Sequence, residues 1–147
     1  MTKITLRPDK DIRVRKIRIG RVPALVLRPQ TPREKAPGVL WIHGGGYILG
    51  MKEMVYMSRA VDLVKKFGAV VVSPGYRLAW VHPWPAAAED CYQTLAYMHE
   101  QADDLGIRRD QLMVGGESAG GGLCAAVCMM ARDRGLPVAY QMPLYPM

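Results

Sequence analysis

Five residues constrain this chain more than any others. Gly116-Glu117-Ser118-Ala119-Gly120 follows a run ending in Leu112-Met113-Val114 and opens into a small-residue run, Gly120 to Ala126. That order reads as a strand, a sharp turn and a helix. The turn forces a strained backbone on the serine, and the flanking glycines let strand and helix approach closely. A hydroxyl lifted out of a sheet in this way sits at the positive end of a helix. Charge developing on an attacked carbonyl is favoured there. Ser118 is therefore a candidate nucleophile, although a glycine-lined helix start with no chemistry would spell the same pattern.

A second motif weighs against that bland reading. His43-Gly44-Gly45-Gly46-Tyr47 follows the apolar run Val39-Leu40-Trp41-Ile42. Glycines suit a loop whose backbone N–H groups turn inward with no side chain in the way. Helix, strand, helix and strand fit between the two motifs. Both would then stand just past strand ends, where parallel sheets bind ligands.

With these residues in hand, the chain resembles the hormone-sensitive-lipase-like family of α/β-hydrolases, the HGGG esterases. The likeness runs along almost the whole chain. Tyr76-Arg77-Leu78-Ala79 is similar to the family's D-Y-R-L-A segment. His82-Pro83-Trp84-Pro85-Ala86-Ala87, followed by Glu89-Asp90-Cys91, is similar to its E-H-P-F-P-A-A segment. Leu144-Tyr145-Pro146-Met147 resembles the strand after its nucleophile helix. Gly75 stands where the family usually has an aspartate that would brace Arg77, and Trp80-Val81 where it has Pro-Glu. Glu117 replaces a common aspartate.

The resemblance implies an α/β-hydrolase fold, a mostly parallel sheet with helices on both faces, ending after the strand that follows the nucleophile helix. It implies attack by Ser118 on a small carboxylic ester, with the amides of Gly45, Gly46 and Ala119 holding the oxyanion and His43 structural. The helix-start position supports Ala119 independently. No cofactor and no metal are implied.

In this family the triad runs Ser, then Asp, then His. After Ser118 the sequence holds one acid, Asp133, and no histidine. Asp133 falls at the far end of the nucleophile helix, about 20 Å from Ser118 at roughly 1.5 Å per residue, and reads as a surface charge. His82 lies in a loop and His99 on a helix with an exposed position expected. A serine without an adjacent base is a weak nucleophile. Residues 1–147 are thus expected to form one α/β-hydrolase domain, incomplete at the C-terminus, with a complementing C-terminal segment as a partner. The alternative is a non-catalytic module that binds small molecules in the same pocket. A phosphate-loop reading fails because Gly121-Gly122 occupy the places of Lys-Ser/Thr.

Composition narrows the partners. Half the residues are hydrophobic and 22% are charged, which suits a folded domain rather than a disordered chain. The net charge of +7 gathers early, at Arg13, Arg15, Lys16, Arg18, Arg21, Arg28, Arg33 and Lys35. From Arg13 to Ile19 the charges alternate with Val14, Ile17 and Ile19, the pattern of an edge strand with a wet face that blocks aggregation. No aromatic residue precedes Trp41, which argues against nucleic acid as a partner. Three cysteines, two of them at Cys124 and Cys128 on one helix face, fit a reducing cytoplasm better than secretion. They show no zinc spacing. Met1 to Lys16 is charged without an apolar core, unlike a signal peptide, and no apolar run is long enough to span a membrane.

Hydrophobic spacing predicts strands at Ile12–Ile19 and Ala24–Leu27, paired as a hairpin about Gly20, then at Val39–Ile42, Ala69–Val72, Leu112–Val114 and Val138–Leu144. Pro29 to Pro37 reads as a loop. Helices are predicted over Met54–Phe67, with Met54, Met57, Val61 and Val64 on the core face, over Ala86–Gln101, and over Ala119–Arg134.

Overall fold

A computed structural model describes residues 6–147. Residues 1–5 of the charged N-terminal stretch lie outside the described residues. The strands are β1 (Ile12–Ile19), β2 (Val22–Pro29), β3 (Ala36–Ile42), β4 (Val70–Pro74), β5 (Ile107–Glu117) and β6 (Tyr140–Leu144). The helices are α1 (Ala60–Phe67), α2 (Ala86–Glu100), α3 (Ala102–Leu105) and α4 (Ala119–Asp133).

The six strands form one sheet in the order β1-β2-β4-β3-β5-β6. β1 and β2 pair antiparallel through a two-residue turn at Gly20-Arg21, and β2 pairs antiparallel with β4. β4, β3, β5 and β6 run parallel. Parallel strands need covered faces, and their sequences show it. Every residue of β4 is buried, as is every residue of β3 except Pro37.

Each face carries its own core. Leu40, Ile42, Val72, Leu112 and Val114 pack with Leu95, Met98, Leu123 and Val127 of α2 and α4. Val39, Trp41 and Val71 pack with Ala60 and Val64 of α1 and with Val55. This is the mostly parallel sheet with helices on both faces that the family resemblance implied. From β3 the chain moves to β4 on one side and returns to β5 on the other. The order therefore reverses beside β3, and a crevice opens past the carboxyl ends of β3 and β5.

Several element boundaries differ from the sequence reading. The helix expected over Met54–Phe67 is two pieces, a 3-10 turn over Lys52–Met57 and then α1. Ser58 makes the break. Its hydroxyl donates to the Val55 carbonyl at 2.8 Å and accepts the Ala60 amide at 3.1 Å, a local bond that competes with the helical one. The rotation between the pieces leaves Met57 exposed and buries Val55 instead. β5 begins five residues earlier than expected because Ile107 pairs with Ala36 while Leu112 pairs with Gly38. The exposed Arg108–Gln111 segment absorbs that irregularity. β2 extends beyond Ala24–Leu27 at both ends, and β6 starts at Tyr140 rather than Val138. Among the described residues, no helix is long and apolar enough to cross a membrane.

Candidate active site

Ser118 stands between the end of β5 and the start of α4 with φ 54° and ψ −116°. A non-glycine residue seldom adopts such a conformation, and its strain persists only where the surroundings enforce it. They do so here. The Ser118 amide donates to the Leu144 carbonyl at 3.0 Å, and the Ser118 carbonyl accepts the amides of Gly122 and Met147, each at 3.0 Å. The serine side chain makes no capping bond to its own helix, so its hydroxyl is not consumed in holding the turn. A Cβ on Gly116 would strike the Gly120 carbonyl, and one on Gly120 would strike the Ile42 carbonyl. The two glycines thus allow β5, α4 and β3 to meet at backbone contact.

The loop after β3 lies against this elbow. A Cβ on Gly44 would fall 2.9 Å from the Glu117 carbonyl oxygen and 3.5 Å from Ser118 Cβ. The loop then turns through Gly45 (φ 131°), Gly46 (φ 62°) and Tyr47 (φ 67°). The Gly45 carbonyl closes the turn by accepting the amides of Ile48 at 3.2 Å and Leu49 at 2.9 Å. Among the described residues, the amides of Gly45, Gly46 and Ala119 donate to no other backbone group. Ala119 opens α4, where first-turn amides have no partner within the helix.

His43 is buried and structural. Its ring stacks on Tyr76 with centroids 4.2 Å apart and planes 14° apart. Nδ1 lies 2.7 Å from the Gly44 carbonyl oxygen, so the proton sits on that nitrogen. Burial pushes its pKa below the ordinary 6.5 and keeps the ring neutral. The Tyr76 hydroxyl donates to the His43 carbonyl at 2.7 Å.

Asp90, not residue 75, braces Arg77 in this structure. Its carboxylate accepts the Arg77 amide at 2.9 Å, Nε at 3.0 Å and Nη2 at 2.9 Å. Asp90 is 2% exposed. Its hydrogen bonds hold the Arg77 guanidinium more firmly protonated than usual. The sequence motif around Asp90 gives no sign of this role, and the same holds for the contacts of Tyr76 and Tyr47. The Tyr47 hydroxyl donates to the Met147 carbonyl at 2.7 Å, and its carbonyl accepts the Ala79 amide at 2.8 Å.

An apolar cleft of about 300 Å³ opens one helical turn past Ser118. Tyr47, Ala79, His82, Trp84, Gly122 and Ala126 are among its lining residues. His82 is thus at the rim, exposed. His99, expected to be exposed, is half-buried on α2 because that helix face meets the Arg109 side chain, whose Nε donates to the His99 carbonyl at 2.9 Å. Asp133 is exposed and paired with Arg132. Among the described residues, no group of three or more His, Cys, Asp or Glu side chains could hold a metal ion.

Comparison with known proteins identifies the family to which this fold belongs. The sequence profile of the alpha/beta hydrolase fold family matches residues 39–147. The chain belongs to that family. Within these hydrolases it is similar to "Carboxylesterase NlhH" of Mycobacterium tuberculosis, 37% identical over 129 residues, covering 85% of this chain and 39% of that protein. It is also 36% identical over 108 residues to "Arylesterase" of Saccharolobus solfataricus, covering 74% of this chain and 35% of the relative. Among solved structures, "Bacterial Heroin Esterase" superposes with a TM-score of 0.85 at 34% identity, covering 95% of this chain and 45% of that one. The hyperthermophilic esterase of the archaeon Pyrobaculum calidifontis superposes at 0.83 with 40% identity, covering 95% and 45%. The chain therefore spans less than half the length of these relatives, each of which is named as an esterase.

Proposed function

We propose that this chain carries the acyl-accepting half of a serine carboxylesterase site. The Ser118 hydroxyl attacks the carbonyl of a small-molecule ester. The amides of Gly45, Gly46 and Ala119 hold the oxyanion, adding hydrogen bonds as negative charge develops. The apolar cleft beside Gly122 and Ala126 receives one arm of the ester. The single observation behind this reading is the forced backbone of Ser118, with its hydroxyl left out of helix capping and the glycine loop pressed against it.

The proton acceptor is the weak point of residues 1–147. Residues after Ser118 include no histidine, and Asp133 sits on the surface beside Arg132. We assign the base and its orienting acid to a complementing C-terminal segment. The groove between α4 and β6, lined by Ala125, Met129, Leu136 and Tyr140 among others, suits the docking of that segment. The three free cysteines favour a reducing compartment, the cytoplasm, for this protein.

A fluorophosphonate probe tests the proposal. With the complementing half supplied, the mass of the Ser118 peptide increases by the phosphonyl group, and Ser118→Ala abolishes the change. Absence of any adduct on Ser118 under those conditions overturns the esterase reading. The histidine-free stretch after Ser118 favours one other reading, a module that binds small apolar molecules in the same cleft without turnover. That reading expects ligand-dependent thermal stabilisation and no adduct with or without the second half.

A further inference from the structure

The early arginines divide into two groups once the hairpin is folded. Arg13 lies opposite Arg28 in the β1–β2 register, and Arg15 lies opposite Val26. Alternation along a strand then puts Arg13, Arg15 and Arg28 on one face, with Lys16 and Arg18 on the other. Like charges placed directly opposite each other are destabilising. Among the described residues, none of the three arginines joins a salt bridge. The acids nearest in sequence face elsewhere, since Asp9 and Asp11 pair with Lys65 at 2.9 and 3.9 Å.

These arginines surround a cleft of about 380 Å³, completed by Val14, Val26 and Pro32. Arg28 Nη2 is shielded from solvent and has no hydrogen-bond partner among the described residues. Burial, and then Arg15 and Arg13, disfavour the charge on Arg28. Protection of an edge strand needs charges in water. It accounts for Lys16 and Arg18 but leaves the shielded, unpartnered Nη2 of Arg28 unexplained.

We propose that this cleft binds the phosphate group of a small phosphorylated molecule. Guanidinium forks match phosphate oxygens in geometry and remain charged where a lysine would not. A phosphate ester bears about two negative charges at neutral pH, which offsets the mutual repulsion of the three arginines and supplies acceptors for Arg28 Nη2. The cleft accommodates one phosphate with a modest substituent, not a polymer. Ala24 pairs with Pro74 at the carboxyl end of β4, and Leu27 pairs with Val71 at its start. Arg28 therefore lies at the opposite end of the sheet from Ser118, and the site is separate from the esterase reading.

The test is calorimetric titration of the 147-residue protein with inorganic phosphate at constant ionic strength. Saturable binding is expected, weakened about tenfold or more by Arg28→Met, as befits a lost charge-assisted bond. Arg18→Met, on the other face, leaves affinity within about twofold. Arg28→Met keeps the apolar stem, so it raises the melting temperature without phosphate and shrinks the further rise that phosphate causes. No saturable heat in the wild type overturns the proposal, as does an Arg28→Met protein that binds phosphate undiminished. A second arm uses vesicles of phosphatidylcholine with added phosphatidate. Vesicle binding without any response to dissolved phosphate assigns the arginines to a lipid surface and also overturns the small-ligand site.

Discussion

Replacing Asp90 with alanine is expected to destabilise the whole domain, and the structure sets the size of the effect. The carboxylate is 2% exposed and is the partner of a guanidinium whose side chain is 25% exposed. It accepts from one backbone amide and two guanidinium nitrogens. Removing Asp90 orphans the Arg77 amide and unpairs a guanidinium that water reaches only in part, which costs about 2–3 kcal/mol, less than for a fully buried pair. At a urea slope of about 1–3 kcal/mol per molar, the midpoint falls by roughly 1 M. The loss has a direction as well as a size. Arg77 adjoins Tyr76, which stacks on His43 and bonds its carbonyl, so amide exchange should accelerate in the Gly44–Gly50 loop before it does in β3. Replacing both partners with apolar residues, Asp90→Leu with Arg77→Met, recovers much of the loss, because neither charge is then buried alone. The assay is urea unfolding followed by circular dichroism. An Asp90→Ala protein within about 1 kcal/mol of wild type, the range of an exposed ion pair, would refute the bracing role.

Further outcomes follow from the same structure. Ser118→Gly relieves a backbone at φ 54° and should stabilise the domain by about 1 kcal/mol, read as a higher urea midpoint. Gly120→Ala drives a methyl into the Ile42 carbonyl and costs about 1–3 kcal/mol or more, whereas Gly135→Ala meets no atom within 4 Å and pays only for its φ of 74°, about 1–2 kcal/mol. The depressed pKa of buried His43 sets a pH dependence. The unfolded chain takes up this proton near pH 6.5 and the folded chain only below that, so stability is full above pH 6.5 and is lost as the pH falls through that value. Unfolding midpoints measured between pH 5 and pH 8 should show that slope in wild type, and His43→Phe, which keeps the stacking on Tyr76, should flatten it.

Much of this was legible because the informative interactions are local. The Gly116–Gly120 turn and the loop from His43 to Tyr47 announce their conformations through glycine and flank buried strands whose sequences are almost wholly apolar. What sequence concealed depends on distant partners or on one local competitor. Asp90 braces Arg77 from thirteen positions away, a pairing that sequence neighbours such as Gly75 do not announce. The Ser58 hydroxyl broke an apolar period that otherwise fitted one helix over Met54–Phe67, and Met57 turned outward as a result. The arginines of the hairpin looked like uniform solvated charge until strand register put Arg13 against Arg28.

In the proposed site, Ser118 faces a cradle of amides able to hold an oxyanion. The most direct measurement is a crystal structure of the phosphonylated protein assembled with the complementing half proposed above. A phosphoryl oxygen within about 2.7–3.1 Å of the Gly45, Gly46 and Ala119 nitrogens is expected. An adduct on Ser118 whose phosphoryl oxygen points into solvent, away from all three amides, would contradict it.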